Sequence, residues 1–159
     1  MKLTFFATLS IMALRLVLFS MGRPAEGTEF MLVHFLAIVT VIHVAVARLL
    51  RAEPHSGFPD LLREGFRQAA LYAVLMLGFL WFHYTQVETG LFQERIDERV
   101  EMAVAEGQPE ALVRERMERF FTPFNYATIT FFALLAVGAV QTFIIGLLHH
   151  KLMRREVQR

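Results

Sequence analysis

Four apolar blocks decide what this chain can fold into. Each is about 19–25 residues long, the length a helix needs to cross roughly 30 Å of hydrocarbon. They cover residues 3–21, 28–50, 67–87 and 124–148. The first holds a single charge, Arg15, and the second holds none between Glu29 and Arg48. Within a bilayer every backbone N–H and C=O needs a partner inside the protein, which leaves helices and closed β-barrels. The blocks do not alternate polar and apolar with period two, which argues against the barrel. The expected fold class is therefore all-α integral membrane, a single membrane domain over 1–159 with four transmembrane helices. The first block also has the basic start of a signal peptide, Lys2, but it exceeds the usual signal core of about 7–15 residues, so a retained helix is expected.

The charges lie between the blocks, and their distribution sets an orientation. Lys2, Arg48, Arg51, Arg63, Arg67, Lys151, Arg154, Arg155 and Arg159 gather near block ends on one side. Arg23, Arg95, Arg99, Arg114, Arg116 and Arg119 fall on the other side, mostly far from block ends and among glutamates. By the positive-inside rule, both termini and the second connection face the cytoplasm of a bacterial inner membrane. Trp81, Tyr84 and Tyr126 then fall near outer ends, where amphipathic rings settle. The net charge of +1 gives no basic excess for nucleic acid. The absence of Cys removes disulfides, thiolate metal sites and thiol catalysis.

The longest connection reads as an amphipathic helical hairpin over 91–121, between the third and fourth spans. Phe92, Ile96, Val100 and Ala103 make one apolar stripe, and Val113, Met117, Phe120 and Phe121 a second. Gly107 suits the position after a helix end and Pro109 the first turn of the next helix. Glu110 with Arg114 and Glu115 with Arg119 are favourable i,i+4 pairs. The stripes are expected to pack on each other or lie on lipid; the functional alternative is a docking surface for a partner.

Ionisable groups inside spans are functional candidates. Arg15, His34 and His83 fall at similar distances from the outer ends of their blocks and form an expected intramembrane polar layer. His43 and Gln141 form a second layer nearer the cytoplasm. Interhelical hydrogen bonding explains such residues most simply. The sharper alternatives are an ion or proton path, or a b-type haem held by His34 and His83. No metal site is expected, since no carboxylate lies at mid-depth beside the imidazoles, and no cofactor is called for. Arg51, Arg63, Arg67, Arg154 and Arg155 are candidates for lipid headgroups or a partner at the cytoplasmic surface. Gly78, Gly138 and Gly146 would let helices approach closely.

Two stretches carry a resemblance. Gly57-Phe58-Pro59-Asp60-Leu61-Leu62-Arg63-Glu64-Gly65-Phe66-Arg67 leads into the third block. Thr122-Pro123-Phe124-Asn125-Tyr126-Ala127 opens the fourth, which ends in the basic tail 149–159. With the charged helical segment between them, the chain resembles a bacterial four-span inner-membrane family, a numbered domain of unknown function common in Bacteroidetes-type bacteria. The resemblance implies the four-span fold and inner-membrane location. It supplies no activity and no site residues. Genes of that family often lie near a glycosyltransferase acting on a lipid-linked sugar carrier, which implies a partner of that class.

No nucleophile elbow, zinc-protease motif, phosphate loop or paired intramembrane carboxylate occurs, so catalysis by this chain is not expected. No span contains the proline interruption common in transporters. The expected role is an accessory or anchor subunit with a protein partner or in a homo-oligomer, in contact with membrane lipid. The alternative is a small transporter or channel-like oligomer.

Overall fold

The structure is a computed structural model that describes residues 2–23 and 27–157, with side chains described over 2–23 and 30–151. The expected breaker Pro24, the Glu29 carboxylate and the Arg154, Arg155 and Arg159 side chains lie outside the described residues. Six helices follow in order: α1 Lys2–Ser20, α2 Gly27–Ala52, α3 Phe58–Phe82, α4 Leu91–Ala105, α5 Glu110–Phe120 and α6 Pro123–Val157. A π-helical turn, His83–Val87, extends α3. No strand occurs among the described residues, and α1, α2, α3 and α6 are each long and apolar enough to cross a membrane. The protein is an all-α membrane protein.

Helix ends follow local chemistry. At Gly22 and Gly107, φ is +68° and +84°. Arg23 N–H donates to the Leu18 carbonyl and Gly22 N–H to Phe19; Gln108 N–H likewise donates to Ala103 and Gly107 N–H to Val104. These paired bonds are Schellman caps, and glycine supplies the left-handed residue they need. At the start of α6, Thr122 Oγ1 accepts from Asn125 N–H at 3.1 Å. The Asn125 amide reaches back to the Arg119 and Phe120 carbonyls at 3.0 and 3.1 Å. One Thr-Pro-Phe-Asn run thereby closes α5 and opens α6.

The third span differs from its expected bounds. The sequence places 58–66 in a loop because of Gly57, Pro59 and Gly65, yet α3 begins at Phe58. Asp60 Oδ2 accepts from Gly57 N–H at 2.9 Å, the returning half of a capping box, and proline in a first turn lacks an N–H that would go unused. Gly65 sits inside the helix because a side chain there has no room. A Cβ added at Gly65 would stand 2.5 Å from Thr142 Cγ2. The segment 149–157, expected as a tail, continues α6 as helix.

The chain forms two compact units: Met1–Met76 with Phe132–Arg159, and Leu77–Phe131. In the first, α3 and α6 approach through small residues. A Cβ on Gly138 would lie 2.6 Å from Ala69 Cβ, and one on Gly146 would lie 3.4 Å from Leu62 Cδ2. Close backbone approach of this kind drives helix association in lipid, where burial of apolar groups gains nothing. The surface of this unit is apolar, with Phe5, Phe6, Leu9, Val17, Leu32, Leu36, Phe132 and Phe143 all exposed. Its exposed hydroxyls turn back on their own helices: Ser10 donates to the Phe6 carbonyl and Thr40 to Leu36. In both cases the hydroxyl donor is satisfied within its own helix rather than facing hydrocarbon unmet.

In the second unit, α4 and α5 form the expected hairpin. Ile96, Val100 and Val113 are its buried centre, with Ala103, Met117 and Phe121 packed around them. The two apolar stripes thus cover each other. Phe120, placed on the second stripe by its spacing, is exposed, with its ring 5.2 Å from that of Phe121. Glu110–Arg114 and Glu115–Arg119 pair at 3.4 and 2.6 Å as their spacing predicts, and Arg114 also bridges to Asp97 of α4 at 2.8 Å.

Candidate functional site

The polar groups of the first unit are gathered rather than scattered. On α1 the buried residues are Thr4, Thr8, Ile11 and Arg15, one stripe along the helix. Thr8 Oγ1 donates to the Thr4 carbonyl at 2.7 Å. Thr4 Oγ1 donates to Gln68 Oε1, and Gln68 Nε2 donates to Glu64 Oε1 at 2.6 Å. Arg67 lies 3.5 Å from the same Glu64 carboxylate. This network ties α1 to α3.

Further along, His34 Nδ1 lies 2.6 Å from the Tyr72 hydroxyl, joining α2 to α3. Phe30 meets the His34 ring edge-on at 5.0 Å, and the Arg15 guanidinium sits over the Phe30 ring at 5.5 Å. All four side chains are buried. Arg15 and His34, two of the three expected members of the intramembrane layer, therefore share one cluster through Phe30. Tyr72, which the sequence reading did not single out, completes it through His34. Glu64, Gln68 and Tyr72 recur every four residues, a signal hidden by placing the start of the helix at 67.

His83 belongs to the second unit. It occupies the π-helical turn, where Glu88 N–H donates to the His83 carbonyl at 2.9 Å, five residues back. His83 Nε2 faces Glu88 Oε2 at 3.2 Å, with the imidazole side chain 1% exposed. Phe79 stacks on it at 5.6 Å. Beside it, Tyr84, Phe92 and Tyr126 form a mutually edge-on aromatic group, with centroids 5.1–5.8 Å apart, and Arg95 lies over the Tyr126 ring. Such π-turns often accompany functional sites. The two histidines once paired as haem ligands thus each have a local partner, Tyr72 for one and Glu88 for the other.

The inner layer also separates. Gln141 Nε2 donates to the Phe35 carbonyl at 3.3 Å, joining α6 to α2. The partner of His43 is instead His149, with ring nitrogens 3.2 Å apart. Arg51, Arg63 and Arg67 are exposed. Arg63, Phe66 and Arg67 share one face of α3, at i, i+3 and i+4. Phe58, at the start of α3, packs against Phe143 and His150, each 5.8 Å away.

Comparison with family models, with curated proteins and with solved structures found no match.

Proposed function

We propose that the protein is a non-catalytic accessory or anchor subunit of the bacterial inner membrane, with both termini cytoplasmic, that binds a partner protein at the bilayer surface. The observation that carries this reading is the exposed Arg63-Phe66-Arg67 face of α3, set against the inward pairing of the intramembrane polar side chains. Thr4, Gln68, His34 and Tyr72 hold helices to one another. Among the described residues the basic-aromatic face shows no such engagement beyond the Arg67–Glu64 pair. Arginine at headgroup depth attracts anionic lipid, and an aromatic between two arginines adds contact area for a protein. The positive-inside distribution supports the orientation. The family resemblance supports a glycosyltransferase acting on a lipid-linked sugar carrier as the partner class.

Purification of the tagged protein from native membranes in mild detergent tests the reading. A stoichiometric membrane partner, lost when Arg51, Arg63 and Arg67 are replaced by alanine, is the expected result. Isolation of the chain alone, or only as its own oligomer, overturns it.

The buried polar series Thr4, Thr8, Gln68, Tyr72, His34 and Arg15 favours a second reading, a small transporter or channel-forming oligomer. Solute or proton flux into vesicles containing only this chain would establish that reading in place of the first. A Soret band in the purified protein is the observation that would restore haem on His34 and His83.

A further inference from the structure

Four histidines of the spans face polar partners, and two of them differ from the others. His34 meets a hydroxyl and His83 a carboxylate, so each has an acceptor or donor of another kind. His43 and His149 meet each other. They stand on α2 and α6, with His149 Nε2 3.2 Å from His43 Nδ1, ring centroids 4.9 Å apart and planes tilted by 49°. His43 is exposed and His149 half-exposed. His149 directly follows the apolar block 124–148 and stands two residues before the charged Lys151, so the pair lies at the end of that block.

Two imidazole nitrogens on one tetrahedral cation, each at about 2.0–2.1 Å, stand about 3.3–3.4 Å apart. The observed separation of 3.2 Å is within about 0.2 Å of that edge, so the spacing suits two ligands of one ion once the rings turn from their mutual hydrogen bond toward it. Imidazole suits Zn²⁺, Cu²⁺ and Ni²⁺, while Mg²⁺ and Ca²⁺ prefer oxygen. Among the described residues no cluster of three His, Asp or Glu joins this pair, so they supply two protein ligands. Exposed Arg48 and Lys151 follow on the same helices, and their like charge opposes a bound cation.

We propose that His43 and His149 form a two-imidazole chelate for a borderline divalent transition cation, pinning α2 to α6 near the end of the spans. The bound ion replaces the single shared proton of the pair with two coordinate bonds. Because the two nitrogens converge only in the folded protein, binding raises its stability. This inference stands apart from the subunit reading and does not require a partner.

The test uses the full chain without a polyhistidine tag, reconstituted in lipid nanodiscs. Equilibrium dialysis with Zn²⁺ is expected to give about one ion per chain at micromolar affinity. Replacing either histidine, His43→Ala or His149→Ala, should weaken it at least tenfold. His150→Ala, whose ring rests against Phe58, should leave it intact. The melting temperature should rise by several degrees with Zn²⁺ and not with Mg²⁺. Co²⁺ in the wild-type protein should show the strong visible absorption of a tetrahedral site, a readout independent of whether the variants fold. The proposal is overturned by no binding at about a hundred micromolar Zn²⁺, by binding that survives both substitutions, or by equal loss in His150→Ala.

Discussion

The first unit and the α4–α5 hairpin are built inside out with respect to each other. In the first unit, Thr4, Thr8, Arg15, His34, Gln68, Gln141 and Thr142 are buried beside the aliphatic core, while phenylalanine and leucine cover the surface. In the hairpin, Ile96, Val100 and Val113 are buried, and Asp97, Glu110, Glu115 and Arg119 are exposed and ion-paired. The difference follows from the solvent each was selected to meet. Water rewards removal of apolar area. Hydrocarbon does not, so helices in it are held by close approach and interhelical hydrogen bonds.

The largest effect expected from this contrast is at the α3–α6 contact. Gly138→Leu puts a Cβ 2.6 Å from that of Ala69, a methyl fixed to backbone that cannot swing aside. Overpacking of this kind costs on the order of 1–3 kcal/mol. Gly78 is the control, because a Cβ there meets nothing within 4 Å. Gly78→Ala should instead stabilise by about 0.5–1 kcal/mol, through helix propensity alone. Thermal unfolding in one detergent, followed by circular dichroism, reads both. Equal effects from the two substitutions would mean that close approach does not hold the first unit together.

How much of this was legible beforehand differs between the two regions for the same physical reason. Most of the hairpin's core was readable, because its 3.6-residue periodicity reports which side faces water and Gly107 marks its turn, although Phe120 at the end of the second stripe is exposed. The spans were readable as lengths. Their inner faces were not, because in a uniformly apolar block periodicity does not distinguish the side facing protein from the side facing lipid. Arg15 and His34 stood out by charge, yet Tyr72, the hydroxyl that meets His34, looked like one more aromatic. The start of α3 was misplaced because Gly57, Pro59 and Gly65 carry loop propensities that a cap and a tight helix contact turn to helical use. The pairing of His43 with His149 is set by the packing of α2 against α6, which no local pattern records.

A smaller effect separates pairing from polarity in the first unit. Gln68→Leu strips Thr4 and Glu64 of a shared partner and should cost about 1 kcal/mol, within the range measured for interhelical hydrogen bonds in membranes. The double variant Thr4→Val with Gln68→Leu should recover part of that loss, since replacing both partners removes an unmet hydrogen bond along with the bond itself. A double-mutant cycle on the unfolding free energies supplies the coupling. Strict additivity would mean that the two side chains stabilise independently and that the polar stripe of α1 is not held by α3.

The smallest effect lies on the hairpin's wet face and carries a definite sign. The Arg114 guanidinium, donating to Asp97, holds that carboxyl below its ordinary range, assisted by the Gln93 amide; Asp97 in turn holds the proton of Arg114 more firmly. A depressed carboxylate stabilises the fold above its unfolded pKa of about 3.9, and this contribution fades as the pH falls through the lower folded value. Amide exchange in α4 and α5 should therefore accelerate slightly between about pH 5 and pH 3, after correction for intrinsic rates. Asp97→Asn should show less of that acceleration, and so should added salt, because the pair is exposed and screened. If salt left the wild-type profile unchanged, the hairpin would owe its closure to Ile96, Val100 and Val113 alone, and the contrast with the first unit would rest entirely on apolar burial.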